Sequence, residues 1–349
     1  IVGGSSILDK YGELTSIIES DGFKINKKLA YLLEGENPET MAKSTGLAII
    51  QISSALSELK PDMVITIGDR YETMATTISA SYMNIPLAHT MGGEESGTID
   101  ESIRHATSKF SNIHFVSTNK AKENVIKLGE NKKNIFNVGC PRIDELKKIV
   151  EKPIINLNKK LHNLGVGREF DLNKKFFIIM QYAVTTEYIQ AKKQILNTLN
   201  AVSKFKTPTL VFWPNSDAGS DFISKGIRSW REENINKDFW FLKNLPIEIF
   251  YNLLKKTSCL IGNSSIGIRE CSYLGIPFVN IGTRQSNRER GFNVLESGYS
   301  KNEISTNIKK ALNKKIKTSK LYGNGDAGKK IVKVIENLSK LEIQKKLYY

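Results

Sequence analysis

The sequence predicts an α/β fold built from two Rossmann-like domains that face each other across a cleft. Short apolar runs bounded by turn residues alternate with amphipathic stretches of roughly 10 to 20 residues, the pattern of βαβ units on a parallel sheet. The alternation runs through one series, stops in a polar stretch and starts again. At 349 residues the chain has room for two cores of ordinary size.

The first series contains MVITIGD (63–69), IPLAHT (85–90), IHFVST (113–118) and NIFNVG (134–139). Each is too continuous in Ile, Val and Phe for a sheet with one wet face, so each reads as a buried parallel strand. Between them, Leu47 to Lys60 repeats apolar residues at Ile49, Ile52, Leu56 and Leu59, a helical stripe. A second helix opens at an Asn119 cap and closes at Gly129. The join falls in 152–173, a Lys- and Asn-rich stretch with Pro153, Gly165 and Gly167. The second series gives FFIIMQ (176–181), TLVFWPN (209–215), FWFL (239–242), SCLIGNSS (258–265) and IPFVNIG (276–282). Helices over about 302–315 and 327–346 follow. The expected units are residues 1–163, residues 164–333 and a C-terminal helix, 334–349, that packs back on the first.

Composition bounds the function. Hydrophobic residues are 40% and charged residues 25%, so neither disorder nor a fibre is indicated. No apolar run approaches the ~18 residues of a membrane span, and no basic-then-apolar leader is present, so no membrane partner is expected. Cys140, Cys259 and Cys271 lack any CxxC spacing, which fits reduced thiols in a cytoplasmic protein. The net charge of +15 invites a nucleic-acid reading. The lysines argue against it, because they are scattered over helix exteriors without aromatic interleaving. His89, His105, His114 and His162 show no metal-ligand spacing, so no metal is expected.

Ligands in open α/β sheets bind beyond the carboxyl ends of the strands, and the polar motifs sit there. TIGDRYE (66–72) places Asp69 and Arg70 after a strand; Asp69 reads as a helix cap or as a catalytic acid, and Arg70 suits bidentate phosphate binding. GGEESGTIDESIRH (92–105) crowds carboxylates around one arginine. With a helix starting near Ile99, Asp100 and Arg104 lie four apart on one face and would pair, with Glu94 in the loop above. Such crowding can split carboxyl pKa values into a base and an acid. GNSSIGIREC (262–271) offers Ser264 and Ser265 at a strand-to-helix turn as a phosphate cradle, and Glu270 to accept from ribose hydroxyls; a plain capped helix reads the same way. Arg284, Arg288 and Arg290 add the positive charge a diphosphate needs. Tyr182, in MQYAVTTE, and WPNSDAGS (213–220) would also face the cleft.

In this order, TIGDRYE, HTMGGEESGTIDESIRHATSKF, VGCPRID, WPNSDAGS, GNSSIGIRE, VNIGTRQSNRERG and LYGNGDAGKKI resemble the hydrolysing UDP-N-acetylglucosamine 2-epimerases of sialic-acid and related nonulosonate biosynthesis, over about residues 1–335. The resemblance implies the glycosyltransferase-B-type arrangement of two Rossmann-like domains, no cofactor or metal, and a homodimer or homotetramer. It implies that UDP is eliminated and the glycal hydrated to N-acetylmannosamine. It also implies that Arg70, Asn215, Ser264, Ser265, Glu270 and Arg284 hold UDP, and that Asp69, Asp100 and Arg104 are catalytic; two further candidates are Glu94, as support where Met91 leaves an acid missing, and Tyr182, as a hydrogen-bond donor to the departing phosphate.

The sequence departs from that pattern at three places. Met91 stands where many relatives carry Glu or Gln, and Tyr182-Ala183 where many carry His-Pro. Relatives open with a strand and a Gly-Thr-Arg-containing turn ahead of the segment matching IVGGSS, so residues preceding Ile1 are expected. Three rival readings share the architecture: the same chemistry on UDP-2,4-diacetamido-2,4,6-trideoxyglucose, a UDP-sugar glycosyltransferase, and a non-catalytic nucleotide-sugar binder.

Overall fold

The computed structural model describes residues 1–9, 14–35, 37–214, 217–338 and 342–348. Two strands of two residues each, β1 (Val2–Gly3) and β2 (Lys28–Leu29), pair in parallel by themselves. The first-lobe sheet is β3 (Val64–Ile67), β4 (Leu87–Thr90), β5 (Ile113–Val116) and β6 (Ile135–Asn137), in spatial order 3-4-5-6 and all parallel. The second sheet holds β7 (Val166–Gly167), β8 (Phe177–Met180), β9 (Thr209–Phe212), β10 (Phe239–Leu242), β11 (Cys259–Gly262), β12 (Phe278–Ile281) and β13 (Val294–Ser297). Its order is 13-12-11-8-9-10-7, and only β7 runs antiparallel. The fold is therefore α/β with two parallel-sheet, Rossmann-like lobes.

In the second sheet the continuous apolar runs are explained by burial on both faces; β3, at the edge of the first-lobe sheet, departs from the full burial expected of it, with Val64 and Thr66 buried but Ile65 and Ile67 49% and 63% exposed. In β8, Ile178 and Met180 enter one core with Leu260 and Phe278, while Phe177 and Ile179 enter the other with Val211, Ile261 and Ile281. Helices cover each face of the second sheet, so both rows of side chains are mainly apolar.

Several boundaries differ from the sequence reading, for local reasons. The helix expected from Leu47 begins at Pro38, because Asn37 and Thr40 form a reciprocal capping box there, and it ends at Leu59. The helix Asn119–Lys127 is capped by the Thr118 side chain, which accepts from the Ala121 N–H; Asn119 is its first residue. The join is not mere linker. Val166–Gly167 adds to the sheet edge, where a Cβ on Gly165 or Gly167 would fall 2.3 or 2.4 Å from a β10 carbonyl oxygen. The later helices run Lys301–Asn313 and Ala327–Glu336.

The chain returns to the first lobe earlier than residue 334. From the helix Ala327–Glu336, Ile331, Val334 and Ile335 pack with Ala88, Ile113, Phe115 and Val138 of the first lobe. Beyond it, 342–348 is not helical. Lys345 reaches the buried Glu130 at 2.6 Å and Tyr348 N–H donates to Gly129 O at 3.0 Å. Glu130, 3% exposed, also takes Lys109 and His114 as partners; burying a carboxylate calls for several such donors, and one of them comes from the tail. His114 thus sits in the core, as its strand position suggested. Among the described residues no helix is long and apolar enough to cross a membrane, and no group of three His, Cys, Asp or Glu side chains could hold a metal ion.

The returning helix is tied at its start to the helix Pro141–Val150, which packs in the second-lobe core through Ile143 and Leu146: Asp144 accepts from the backbone N–H groups of Ala327 (3.0 Å) and Gly328 (2.7 Å). Replacing Asp144 by Ala leaves both donors unsatisfied and is expected to cost about 1 kcal/mol in urea unfolding, with Asp144→Asn losing less.

Candidate active site

The second sheet reverses its order between β8 and β11, and a crevice opens at the carboxyl ends of strands flanking such a point. Asn263, just after β11, closes that crevice on one side: its amide side chain accepts from Tyr182 N–H (2.8 Å) and donates to Tyr182 O (2.9 Å), fixing the chain after β8. Across the gap stand the ends of β3 and β4. Between the two lobes lies an open polar cavity. Asp69, Met91, Asp100 and Arg104 line it from the first lobe, and Ser265, Arg269, Arg284, Gln285 and Arg288 from the second.

Arg104 organises the first-lobe wall. It is 1% exposed; its Nε donates to Asp69 Oδ2 (3.0 Å), Nη1 to Glu101 Oε2 (2.7 Å) and to Glu94 O (2.7 Å), and Nη2 to Ser96 Oγ (2.8 Å) and Asp69. The pairing expected with Asp100 is therefore replaced by Asp69 and Glu101. Asp100 opens the helix Asp100–Phe110, whereas Arg104, one turn on, turns its guanidinium inward to the strand ends. Asp69 is also no cap: the helix Tyr71–Tyr82 starts at Arg70 with no side-chain cap. His89, in the middle of the sheet, braces the same corner. Burial lowers its pKa to about 4, so it is neutral, and its Nε2–H faces Gly68 O at 2.7 Å. Met91 follows β4 with φ +68°, a left-handed conformation that is strained for a side chain of this size.

The serine turn is shorter than expected. Ser264 caps a single 3-10 turn, Ser265–Gly267, and the helix proper begins only at Glu270. Ser265 still faces the cavity, and Ser264 is buried behind it. Glu270 is 2% exposed, with Oε2 buried and unpartnered and Arg142 at 3.6 Å from Oε1, an acceptor free for a hydroxyl donor. Arg284 lies over the Tyr182 ring, 5.1 Å from its centroid. Gln285 Nε2 donates to Asn263 O (2.9 Å), and its side-chain Oε1 is buried without a partner.

Two expected site residues sit differently. Arg70 bonds to Asp217 across the cleft at 2.8 Å and to Glu72 at 3.1 Å. Glu94 is buried, and its carboxylate contacts Arg269 (2.7 Å) and Arg288 (3.6 Å) and does not line the cavity. Asn215 lies outside the described residues. The sequence reading passed over Arg269, His89 and Gln285. Arg269 precedes Glu270 in the quoted motif, but nothing local marks it as facing the first lobe.

Electrostatics separate the two facing acids. Burial pushes the Asp69 carboxyl up, but Arg104, with Arg288 and Arg269, outweighs it and holds Asp69 below the usual carboxylate range. Burial and the charges of Asp69 and Asp217 raise Asp100 to about 6, against the pull of Arg284. One acid therefore stays ionised while its neighbour exchanges protons near neutrality, which is a combination suited to proton transfer at carbon.

A family profile described as UDP-N-acetylglucosamine 2-epimerase matches residues 2–336. A Legionella pneumophila protein, "UDP-N,N'-diacetylbacillosamine 2-epimerase (hydrolyzing)", is 32% identical over 94% of this chain and 85% of its own. A Campylobacter jejuni protein, "GDP/UDP-N,N'-diacetylbacillosamine 2-epimerase (hydrolyzing)", is 35% identical over 85% and 76%. The crystal structure of a Neisseria meningitidis UDP-GlcNAc 2-epimerase bound to UDP-GlcNAc superposes with a TM-score of 0.78 at 18% identity, covering 97% of this chain and 98% of that one.

The raised Asp100 pKa carries a sign. The native state binds that proton more tightly than the unfolded chain, so this group's contribution to stability is full below about pH 4 and is lost as pH rises through about 6. Asp100→Asn is expected to be more stable than the unsubstituted protein, by a margin that grows between those two values and then levels off. Paired thermal melts from pH 4 to 8 measure it.

Proposed function

The chain belongs to the UDP-N-acetylglucosamine 2-epimerase family, and on that premise we propose that it is a hydrolysing 2-epimerase of a UDP-activated 2-acetamido sugar, acting in the cytoplasm. The observation that carries the reading is one cavity in which Asp69 and Asp100, with opposed pKa shifts, face Ser265, Arg284 and Arg288 of the other lobe. Acids on one side and anion donors on the other match the two ends of a sugar nucleotide. The division into units 1–163, 164–333 and 334–349 belongs to the same proposal, amended in that Ala327–Glu336 already packs on the first lobe. So does assembly as a homodimer or homotetramer.

In the proposed reaction the C1–O bond to UDP breaks and positive charge builds on the ring at C1, next to the ionised Asp69. Asp100, poised near neutrality, takes the C2 proton to leave a glycal. The bond electrons depart with the diphosphate, whose growing negative charge meets Arg284, Arg288 and the Ser265 turn already in place. Tyr182 stacks under Arg284 and fixes its plane, a role that needs no proton transfer; burial, only partly offset by Arg284 and Ser264, raises the phenol's pKa. Glu270's unpartnered oxygen and Ser264 complete the assigned UDP contacts, with Arg70 freed from Asp217 as the cleft fills and Asn215 beside it in sequence. Water then adds hydroxyl to C1 and a solvent-derived proton to the opposite face of C2. The sum is UDP-sugar plus water giving UDP and the free C2 epimer.

Two substrates fit this scheme. UDP-2,4-diacetamido-2,4,6-trideoxyglucose is favoured by the activity named for the Legionella and Campylobacter relatives, and by Met91, whose thioether offers an apolar wall to a deoxy carbon. UDP-N-acetylglucosamine, giving N-acetylmannosamine on a sialic-acid-type route, is the second reading; the Neisseria structure of the same fold binds it. A glycosyltransferase would instead require an acceptor, and a mere binder would release nothing.

Incubation of the protein with each UDP-sugar in D2O, followed by NMR, is expected to give UDP and a free epimer carrying deuterium at C2. Product with protium at C2 rules out the elimination, and absence of UDP release rules out the reaction. In a pH series kcat/KM should fall about tenfold per unit below about pH 6, where Asp100 becomes protonated, and Asp100→Asn should lower kcat by about 100-fold or more and remove that inflection.

A further inference from the structure

Glu94 comes from the first lobe, yet its carboxylate serves the second. Oε2 accepts from Arg269 Nη2 at 2.7 Å and lies 3.6 Å from Arg288 Nε. Glu94, Arg269 and Arg288 are 5%, 9% and 6% exposed, so this contact is shielded from water. Through its main-chain oxygen the same residue accepts from Arg104, whose fork holds Asp69. An unbroken line of charged groups thus runs from a first-lobe acid, through Arg104 and Glu94, to two guanidiniums on the cavity wall of the second lobe.

The backbone around Glu94 is bound to the second lobe as well. Gly97 N–H donates to Arg284 O at 3.1 Å, and a Cβ at Gly97 would fall 1.9 Å from Thr283 O, so only glycine allows that approach. Arg288 donates to Glu95 O at 3.2 Å. Arg269 and Arg288 are two like charges buried near each other. Without an anion between them they would repel and turn outward, losing their orientation toward the cavity.

We infer that Glu94 is a positioning residue and not a proton-transfer group: it holds Arg269 and Arg288 in the cavity wall and registers the second lobe's grip on the diphosphate against Asp69 and Asp100. Its carboxylate is turned to Arg269 and Arg288 and does not line the cavity that Asp69 and Asp100 face. One oxygen, Oε1, is buried without a partner, so the residue has room for a further donor as the guanidiniums adjust to a bound diphosphate. This inference rests on the reading of the cavity as a UDP-sugar site.

The test compares Glu94→Gln with the unsubstituted protein in three measurements. Turnover of the UDP-sugar should fall about 10- to 100-fold in kcat, because small misplacements of aligned groups cost that much, while the inflection near pH 6 stays. UDP binding by calorimetry should weaken while the melting temperature stays unchanged, because Arg269 and Arg288 lose their orientation toward the diphosphate. Hydrogen exchange at residues 94–98 should slow when UDP is added to the unsubstituted protein and not when it is added to the variant. A kcat within threefold of normal overturns the inference. So does loss of UDP binding together with melting temperature, which marks a merely structural role, or loss of the pH inflection with exchange coupling intact, which marks a proton-transfer role. Should Glu94→Gln fail to fold, Glu94→Asp and Arg269→Gln must both break the exchange coupling, and intact coupling in either overturns the inference. If the unsubstituted protein shows the UDP-dependent protection but turns over no UDP-sugar, the reaction proposed above fails while the positioning role stands.

Discussion

One guanidinium, that of Arg104, holds the first-lobe wall together. At 1% exposure it cannot rely on water, and a buried cation without partners costs several kcal/mol. It meets that demand with Asp69, Glu101, Ser96 and the carbonyl of Glu94, so a strand end, a helix start and the loop between them converge on one side chain. The convergence has a chemical effect. Asp69 is kept ionised by its contact with Arg104, and the charge of Asp69 helps raise Asp100. Burial is the larger cause of the Asp100 rise, and satisfying one buried arginine adds to the split through Asp69.

The lobes meet through charge more than through apolar surface at this point. The glycine-rich loop from 92 to 98 lies against the loop from 283 to 288, with Gly97 under the Thr283 carbonyl and Glu94 among the arginines. Beside the cavity, Arg70 and Asp217 span the same gap. Ion pairs of this kind can exchange partners when an anion enters, whereas an apolar seam would have to be torn open. A cleft that must admit a diphosphate and then grip it is served by such contacts.

Much of the fold was legible because its signals are local. Strand runs such as FFIIM (176–180) and FWFL (239–242) are apolar at every position since both faces of the second sheet are covered, and no other arrangement accounts for them as simply. The strand-end motifs were legible for the same reason: a polar residue directly after a buried strand faces the crevice. Asp69, Ser265 and Arg284 line the cavity accordingly, and Asp100 reaches it from a helix start. Helix limits were less legible, because a cap depends on one side chain; Asn37 and Thr118 outcompeted the residues expected from periodicity.

What the sequence by itself determined was the alternation of buried strands and amphipathic helices, the break between two series, and the set of polar residues at strand ends. What only the tertiary structure decided was who partners whom. Arg104 stands four residues from Asp100 but bonds to Asp69, 35 residues away, and Glu94 bonds to Arg269 at a separation of 175. Spacing along a helix determines which side chains can meet on its surface. A buried guanidinium instead takes the partners that replace its lost hydration, and those are set by where the chain brings distant strand ends together.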